Sequence, residues 1–329
     1  MALRVDKAVA FLLALIALGT ASAALAAAAP GYPERPVRLV LGFAPGGTSD
    51  ALARVLTPKL HDALGRPWIV DNRSGASGNL STEIVARANP DGHTVLLALS
   101  SQITTSPLLY KLSFNVEKDL RPVILMASAQ YMLVTHPSVK ANNIREFVDA
   151  AKSQGASLNY ASVGIGSPHH LAAELFKLRA RINMTHVPYK GGGPASAAVL
   201  GNEVQVLFGS LASLLPHVKT GRIRALGMTG TARSAEAPEV PTIAESGFPG
   251  FDVTSWFGFL VPAQTPERTV NTIFETTKKI LAMPDVREAA GRVGLDIVGK
   301  DPKQFAAHIM LETKVWADVI KTANIRIEG

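Results

Sequence analysis

The run Val37-Arg38-Leu39-Val40-Leu41-Gly42-Phe43-Ala44-Pro45-Gly46-Gly47-Thr48-Ser49-Asp50-Ala51-Leu52 reads as a strand, a glycine-rich turn and the start of a helix. Residues 37–42 are apolar apart from Arg38, which suits a buried strand. Beyond the turn, Leu52, Val55, Leu56, Leu60 and Leu64 recur at helical spacing, predicting a helix over 49–64. Pro58 lies inside that helix, so a kink or break is expected near Thr57. A turn of this kind aims bare backbone N–H groups and a helix start at an anion, and glycine permits close approach.

The same alternation continues. Strands are expected at 68–71, 94–99, 158–162, 184–187, 204–208, 223–228 and 254–262. Helices are expected at 144–152 with Ile144, Phe147, Val148 and Ala151 inward, and at 169–178 with Leu171, Leu175 and Leu178 inward. Two more are expected around 270–281 and 302–321. This pattern predicts an α/β protein with largely parallel sheets.

The N-terminus carries Arg4 and Lys7, then an apolar stretch over 8–18, then small residues with two A-x-A patterns. It reads as a signal peptide over 1–29, cleaved near 23–29; the alternative is an uncleaved anchor. The 329 residues contain no cysteine, so there is neither a disulfide nor a lipid-modified cysteine at the cleavage point. A soluble periplasmic protein without a lipid anchor is expected. Hydrophobic content of 47% and charged content of 18% fit a globular chain. The net charge of +7 serves solubility or mild steering of anionic solutes. Its Lys and Arg residues are scattered and form no basic cluster, which argues against nucleic acid as a partner.

The length beyond the signal exceeds one ordinary core, predicting two domains of about 100–150 residues each. Segments 123–134 and 253–261 lie where the chain would cross between them. The first domain is therefore expected over 30–128 and 254–329, with the second inserted over 129–253. Glycine- or serine-rich turns follow four strands, at 45–50, 75–79, 164–168 and 191–193. Ligands bind beyond the carboxyl ends of strands in open α/β sheets, so turns spread over both halves predict an interdomain cleft.

These segments together resemble the receptors of tripartite tricarboxylate transporters, the TctC or Bordetella uptake gene (Bug) family. The resemblance runs from about Tyr32 to Ile327. It is carried by Tyr32-Pro33-Glu34-Arg35-Pro36-Val37-Arg38, by Phe43-Ala44-Pro45-Gly46-Gly47 with Asp50, and by Asp71-Asn72-Arg73 ahead of Gly75-Ala76-Ser77-Gly78-Asn79. It continues through Ala88-Asn89-Pro90-Asp91-Gly92, Leu158-Asn159-Tyr160-Ala161-Ser162, and Gly166-Ser167 with His170-Leu171 and Glu174-Leu175-Phe176. Further matches are His186-Val187-Pro188-Tyr189-Lys190-Gly191, Leu215-Pro216-His217, Ser255-Trp256-Phe257-Gly258 and Val261-Pro262-Ala263. The resemblance implies a type II-like periplasmic binding fold of two α/β domains that close on a hinge. It further implies a receptor for small organic carboxylates, held mainly through amides, hydroxyls and waters, and a permease partner with one large and one small subunit. A monomer is expected, with no cofactor and no metal.

On these grounds the candidate ligand-binding residues are Phe43, Pro45, Gly46, Gly47, Thr48 and Asp50 on the first turn and Ser77 and Asn79 on the second. Ser100 and Ser101 join them at a strand end, and Ser162, Gly164, Gly166, Ser167 and His170 face them from the second domain. Tyr189 is a candidate cleft wall and Lys190 a solvated or steering charge. Asp50 either complements the helix start or orders a water against the ligand. Ser77 stands where many family members carry glycine. Gly209-Ser210 departs from a frequent Asp-Asn, which makes Ser210 a further candidate and removes an acid from the rim. Adjacent His169 and His170 diverge by about 100° on a helix and make a poor metal site; His169 reads as a variable helix position, and the alternative for His170 is a packed or helix-start histidine. Trp256 is expected in the core.

An enzyme is the competing class. Gly164-Ile165-Gly166-Ser167-Pro168 places serine wrongly for a nucleophile elbow, and neither H-E-x-x-H nor a P-loop occurs. No catalytic residue is expected. A receptor that docks on a signalling membrane protein instead of a permease is the other alternative.

Overall fold

The computed structural model describes residues 31–43, 45–154, 157–189 and 191–326. The signal peptide expected over 1–29 and the charge at Lys190 lie outside them. In chain order the first half contains β1 (Val37–Leu41), α1 (Thr48–Leu64), β2 (Trp68–Asn72), a 3-10 turn (Ala76–Gly78), α2 (Asn79–Ala86) and β3 (Thr94–Leu99). Three short helices follow, α3 (Ser100–Thr104), α4 (Ser106–Leu109) and α5 (Val116–Asp119), and then the long strand β4 (Leu120–Thr135). The second half contains α6 (Ile144–Gln154), β5 (Asn159–Ser162), α7 (Pro168–Ala180), β6 (Thr185–Pro188), α8 (Gly192–Leu200), β7 (Val206–Ser210), α9 (Leu211–Lys219) and β8 (Arg224–Met228). The chain returns through β9 (Thr254–Pro262), α10 (Glu267–Leu281), α11 (Pro284–Arg292), β10 (Asp296–Lys300) and α12 (Pro302–Thr322).

The strands run in the order β2-β1-β3-β9-β4-β7-β5-β6, with β8 and β10 also paired to β4. The expectation of largely parallel sheets holds only for the flanks. β1 is parallel to β2 and β3, and β5 to β6 and β7, whereas each pair that includes β4 or β9 is antiparallel. The reason lies in the path of the chain. β4 carries it out of the first half and β9 brings it back, so the two run in opposite directions side by side. Residues 120–130 of β4 pair with β9, and residues 131–135 pair with β7 and β8. The return begins at Val253, whose N–H donates to the Thr229 carbonyl at 2.9 Å.

Side chains alternate across each part of the sheet, as strand geometry requires. Val37, Leu39 and Leu41 of β1 face one core with Leu52, Leu56 and Phe259, while Val40 faces another with Trp256 and Phe305. In the second half, Leu133 and Phe208 share a core with Phe147 and Phe176; Met132, Val134 and Leu207 pack on the opposite face. Helix α12 serves both halves. Phe305 and Ile309 lie in a first-half core, whereas Trp316 and Val319 lie among Tyr131, Phe147 and Phe251.

Two local expectations are corrected. α1 runs unbroken through Pro58. Pro58 is exposed, so the carbonyl one turn earlier, deprived of its donor, faces water rather than core. Leu178 was expected inward but is 37% exposed, because the buried face of α7 is formed by residues 170–176 and Ala180.

Candidate functional site

A cavity of about 500 Å³ lies between the halves, a volume usual for a small-molecule site. The start of α1 (Gly47, Thr48 and Ser49), Ser77 of the second turn, and Ser101, Thr105 and Tyr110 after β3 form one wall. Residues 163–169 and Ser210 form the other. Gln130 and Tyr131 of β4 and Ser255 and Phe257 of β9 lie between them, so the crossover strands make the floor. The Tyr131 and Ser255 hydroxyls hydrogen-bond to each other there. A cavity of about 680 Å³ elsewhere is larger, but it is bordered by the first half and α12, with Leu112, Phe114, Leu260 and Met310 among its apolar residues. None of the glycine-rich turns reaches it, so the smaller cleft is the better candidate.

Of the residues expected in the site, Phe43, Gly47, Thr48, Ser77, Ser101, Gly164, Gly166, Ser167 and Ser210 line the cleft. Pro45, Gly46, Asp50, Asn79, Ser100, Ser162, His170 and Tyr189 do not. Each has an identifiable reason. Pro45 and Gly46 are exposed in the turn ahead of α1. Asp50 is buried and engaged: Arg54 Nε donates to it at 2.8 Å and Gly46 N–H at 3.0 Å. These bonds, Arg54 foremost, hold its carboxyl below the usual carboxylate range. Asp50 thus sets the helix start, and its charge is spent on Arg54. Asn79 and Ser100 are buried at the starts of α2 and α3. Ser162 Oγ is fully buried and lies 2.6 Å from His186 Nε2. His170 points inward, with its ring 4.0 Å from that of His186. Tyr189 packs in the opposite core with its hydroxyl toward Glu203 at 3.4 Å.

His169, not its neighbour, lines the cleft. Its ring lies 4.8 Å from that of Tyr131. Its Nδ1 is buried and has no hydrogen-bond partner. Burial lowers its pKa to about 4, so the imidazole is neutral at pH 7. Sequence reasoning missed His169, Tyr110, Tyr131, Ser255 and Phe257. A signal existed for three of them: Tyr131, Ser255 and Phe257 lie on the expected crossovers, and strands that join two halves must pass beneath the gap between them.

Residues 52–325 match the family described as tripartite tricarboxylate transporter family receptor, TctC. The chain belongs to that family. TctC-family receptors are substrate-binding proteins, and the mixed sheet described above is their fold. Protein BugT of Bordetella pertussis is 34% identical over 325 residues, covering 96% of this chain and 98% of that one. An R. palustris protein solved with adipate is 31% identical, with a TM-score of 0.76 over 90% of this chain and 99% of the other. MatC from Rhodopseudomonas palustris with bound malate is 30% identical, with a TM-score of 0.72 over 88% and 100%. Among the described residues of this TctC-family chain, no helix is long and apolar enough to cross a membrane.

Beneath the floor, Glu312 of α12 accepts from Trp256 Nε1 at 2.5 Å and from Trp316 Nε1 at 3.1 Å. Burial raises its pKa from the ordinary 4.5 to about 7, partly offset by these bonds. The unfolded chain releases this proton near pH 4.5 and the folded chain near 7. Stability therefore falls as pH rises through that window and stays lowered above it. Glu312→Gln is expected to gain on the wild type by on the order of 2 kcal/mol between pH 5 and pH 8. The buried His170 and the half-buried His169, His186 and His308, whose pKa values are lowered mainly by desolvation, act in the opposite direction but are common to both proteins. Urea unfolding at the two pH values measures the difference; an equal difference at both would show that Glu312 titrates normally.

Proposed function

We propose that the protein is an extracytoplasmic receptor that closes on a small organic carboxylate and delivers it to a tripartite tricarboxylate-type permease. The observation that carries this reading is the cleft itself. It is bounded by both halves, floored by the two crossover strands, and entered by the start of a long helix whose cap position, Gly47, makes no side-chain capping bond. Uncapped N–H groups at a helix start favour a negative charge. The adipate and malate of two similar solved proteins support a carboxylate ligand. The jaws are the two expected domains, 30–128 with 254–329 and 129–253. The exported, soluble state follows from the N-terminal signal reading.

The protein is read as a receptor without catalysis. The Ser162–His186 pair has the spacing of an activated nucleophile, but Ser162 is fully buried and also bonds the Gly164 N–H at 3.0 Å. It is not presented to a ligand.

Ligand that bridges the jaws favours the closed form by its differential affinity. A thermal-shift panel of carboxylates on the mature chain is expected to raise the midpoint with ligand concentration. Solution scattering with a hit is expected to show compaction. Binding with no compaction would remove the closure mechanism, and turnover of the bound acid would remove the receptor-only reading. Lost gene induction with unchanged uptake in a deletion strain would replace the permease by a signalling partner.

A further inference from the structure

The two walls of the cleft differ in what they offer an anion. On the first wall, the start of α1 at Gly47 makes no side-chain capping bond, and Thr48, Ser49 and Ser77 lie beside it. On the second wall three loop amides are used internally. Gly164 N–H donates to Ser162 Oγ at 3.0 Å, Gly166 N–H to His170 Nδ1 at 3.1 Å, and Ser167 N–H to the Gly164 carbonyl at 3.2 Å. Helix α7 then opens with Pro168, which has no N–H, and its cap Ser167 is bonded to His170 N–H. Among the described lining residues there is no Lys, Arg, Asp or Glu.

Besides the Ser210 hydroxyl, the Gln130 amide and the mutually bonded Tyr131 and Ser255 hydroxyls, the second wall and the floor offer apolar and aromatic surface. Ile165 is 45% exposed at the tip of the loop. Tyr131 and His169 pack ring against ring, and Phe257 and Leu109 lie nearby in the same lining. A carboxylate buried against this side would meet neither a cation nor a row of unused amides, and burying a charge without such partners is costly.

We infer that the cleft is specific for a monocarboxylate with an apolar, ring-sized body, its carboxylate at the start of α1 and its body against Ile165, Tyr131, His169 and Phe257. This rests on the receptor reading above and narrows it. It sets the chain apart from the two similar proteins solved with the dicarboxylates adipate and malate.

Calorimetry on the mature chain with matched acids tests the inference. The pairs are hexanoate against adipate and 3-phenylpropionate against its ring-carboxylated counterpart. Each monocarboxylate is expected to bind at least tenfold more tightly than its dicarboxylate. Ile165→Lys places a cation on the second wall at an exposed loop position and is expected to narrow or reverse that preference. Wild-type protein that binds adipate or malate as tightly as the monocarboxylates would overturn the inference and leave the receptor reading standing. A chain that binds no acid of either kind would overturn the receptor reading, and the inference with it.

Discussion

Trp256→Ala is expected to destabilise the protein by about 3–5 kcal/mol, a large share of the stability of an ordinary domain. Trp256 is fully buried on β9, with its ring edge-on to Phe305 at 4.9 Å. Truncation empties the space between the return strand and α12, and the rigid sheet around it has little freedom to collapse. It also removes the donor to Glu312, leaving that carboxyl with Trp316. Trp256→Phe keeps most of the packing and loses the donor, so it separates the two contributions; a loss of about 1–2 kcal/mol is expected. Denaturant midpoints measure both. A Trp256→Ala midpoint close to that of the wild type would mean that the crossover does not depend on this contact.

Gly78→Ala is the second large effect, about 2–4 kcal/mol, and it is expected to weaken ligand binding as well. Gly78 has φ of +87°, where a side chain is strained. A Cβ there would also lie 2.6 Å from Gln102 Nε2 and 2.7 Å from Gln102 Cδ. Gln102 is fully buried and cannot swing away freely. Its amide donates to the Gly78 carbonyl at 2.8 Å, Ser81 Oγ at 3.0 Å and Thr82 Oγ1 at 3.1 Å, and its oxygen accepts from Leu99 N–H at 2.9 Å. This hub ties the turn that holds Ser77 to the end of β3, and both line the cleft. Gly46→Ala is the control. Its φ of +88° is similar, but a Cβ meets nothing within 4 Å, so backbone strain of about 1 kcal/mol is the expected cost. Equal losses in the two variants would show that Gln102 yields.

Much of the fold was legible because it is local. The strand expected over 254–262 coincides with β9, and Ile144, Phe147, Val148 and Ala151 are all buried on α6. Periodicity reports which face of an element is inward. It failed at Leu178, where a regular apolar spacing continued past the edge of the packed face. It also passed over α11 and β10. β10 is a short strand, Asp296–Lys300, with charged ends, and its partner β4 is distant in the chain.

Sequence alone determined most of the elements, the glycine-rich turns and the family, since these rest on side-chain type, spacing and ordered motifs. Tertiary structure decided which of those turn residues meet the cleft. Asp50 belongs to Arg54, Ser162 to His186, and the Gly164, Gly166 and Ser167 amides to their own neighbours, while His169 takes the place expected of His170. Hydrogen-bond donors are consumed by whichever acceptor folding brings closest. The choice between a loop partner and a ligand is therefore settled only in three dimensions.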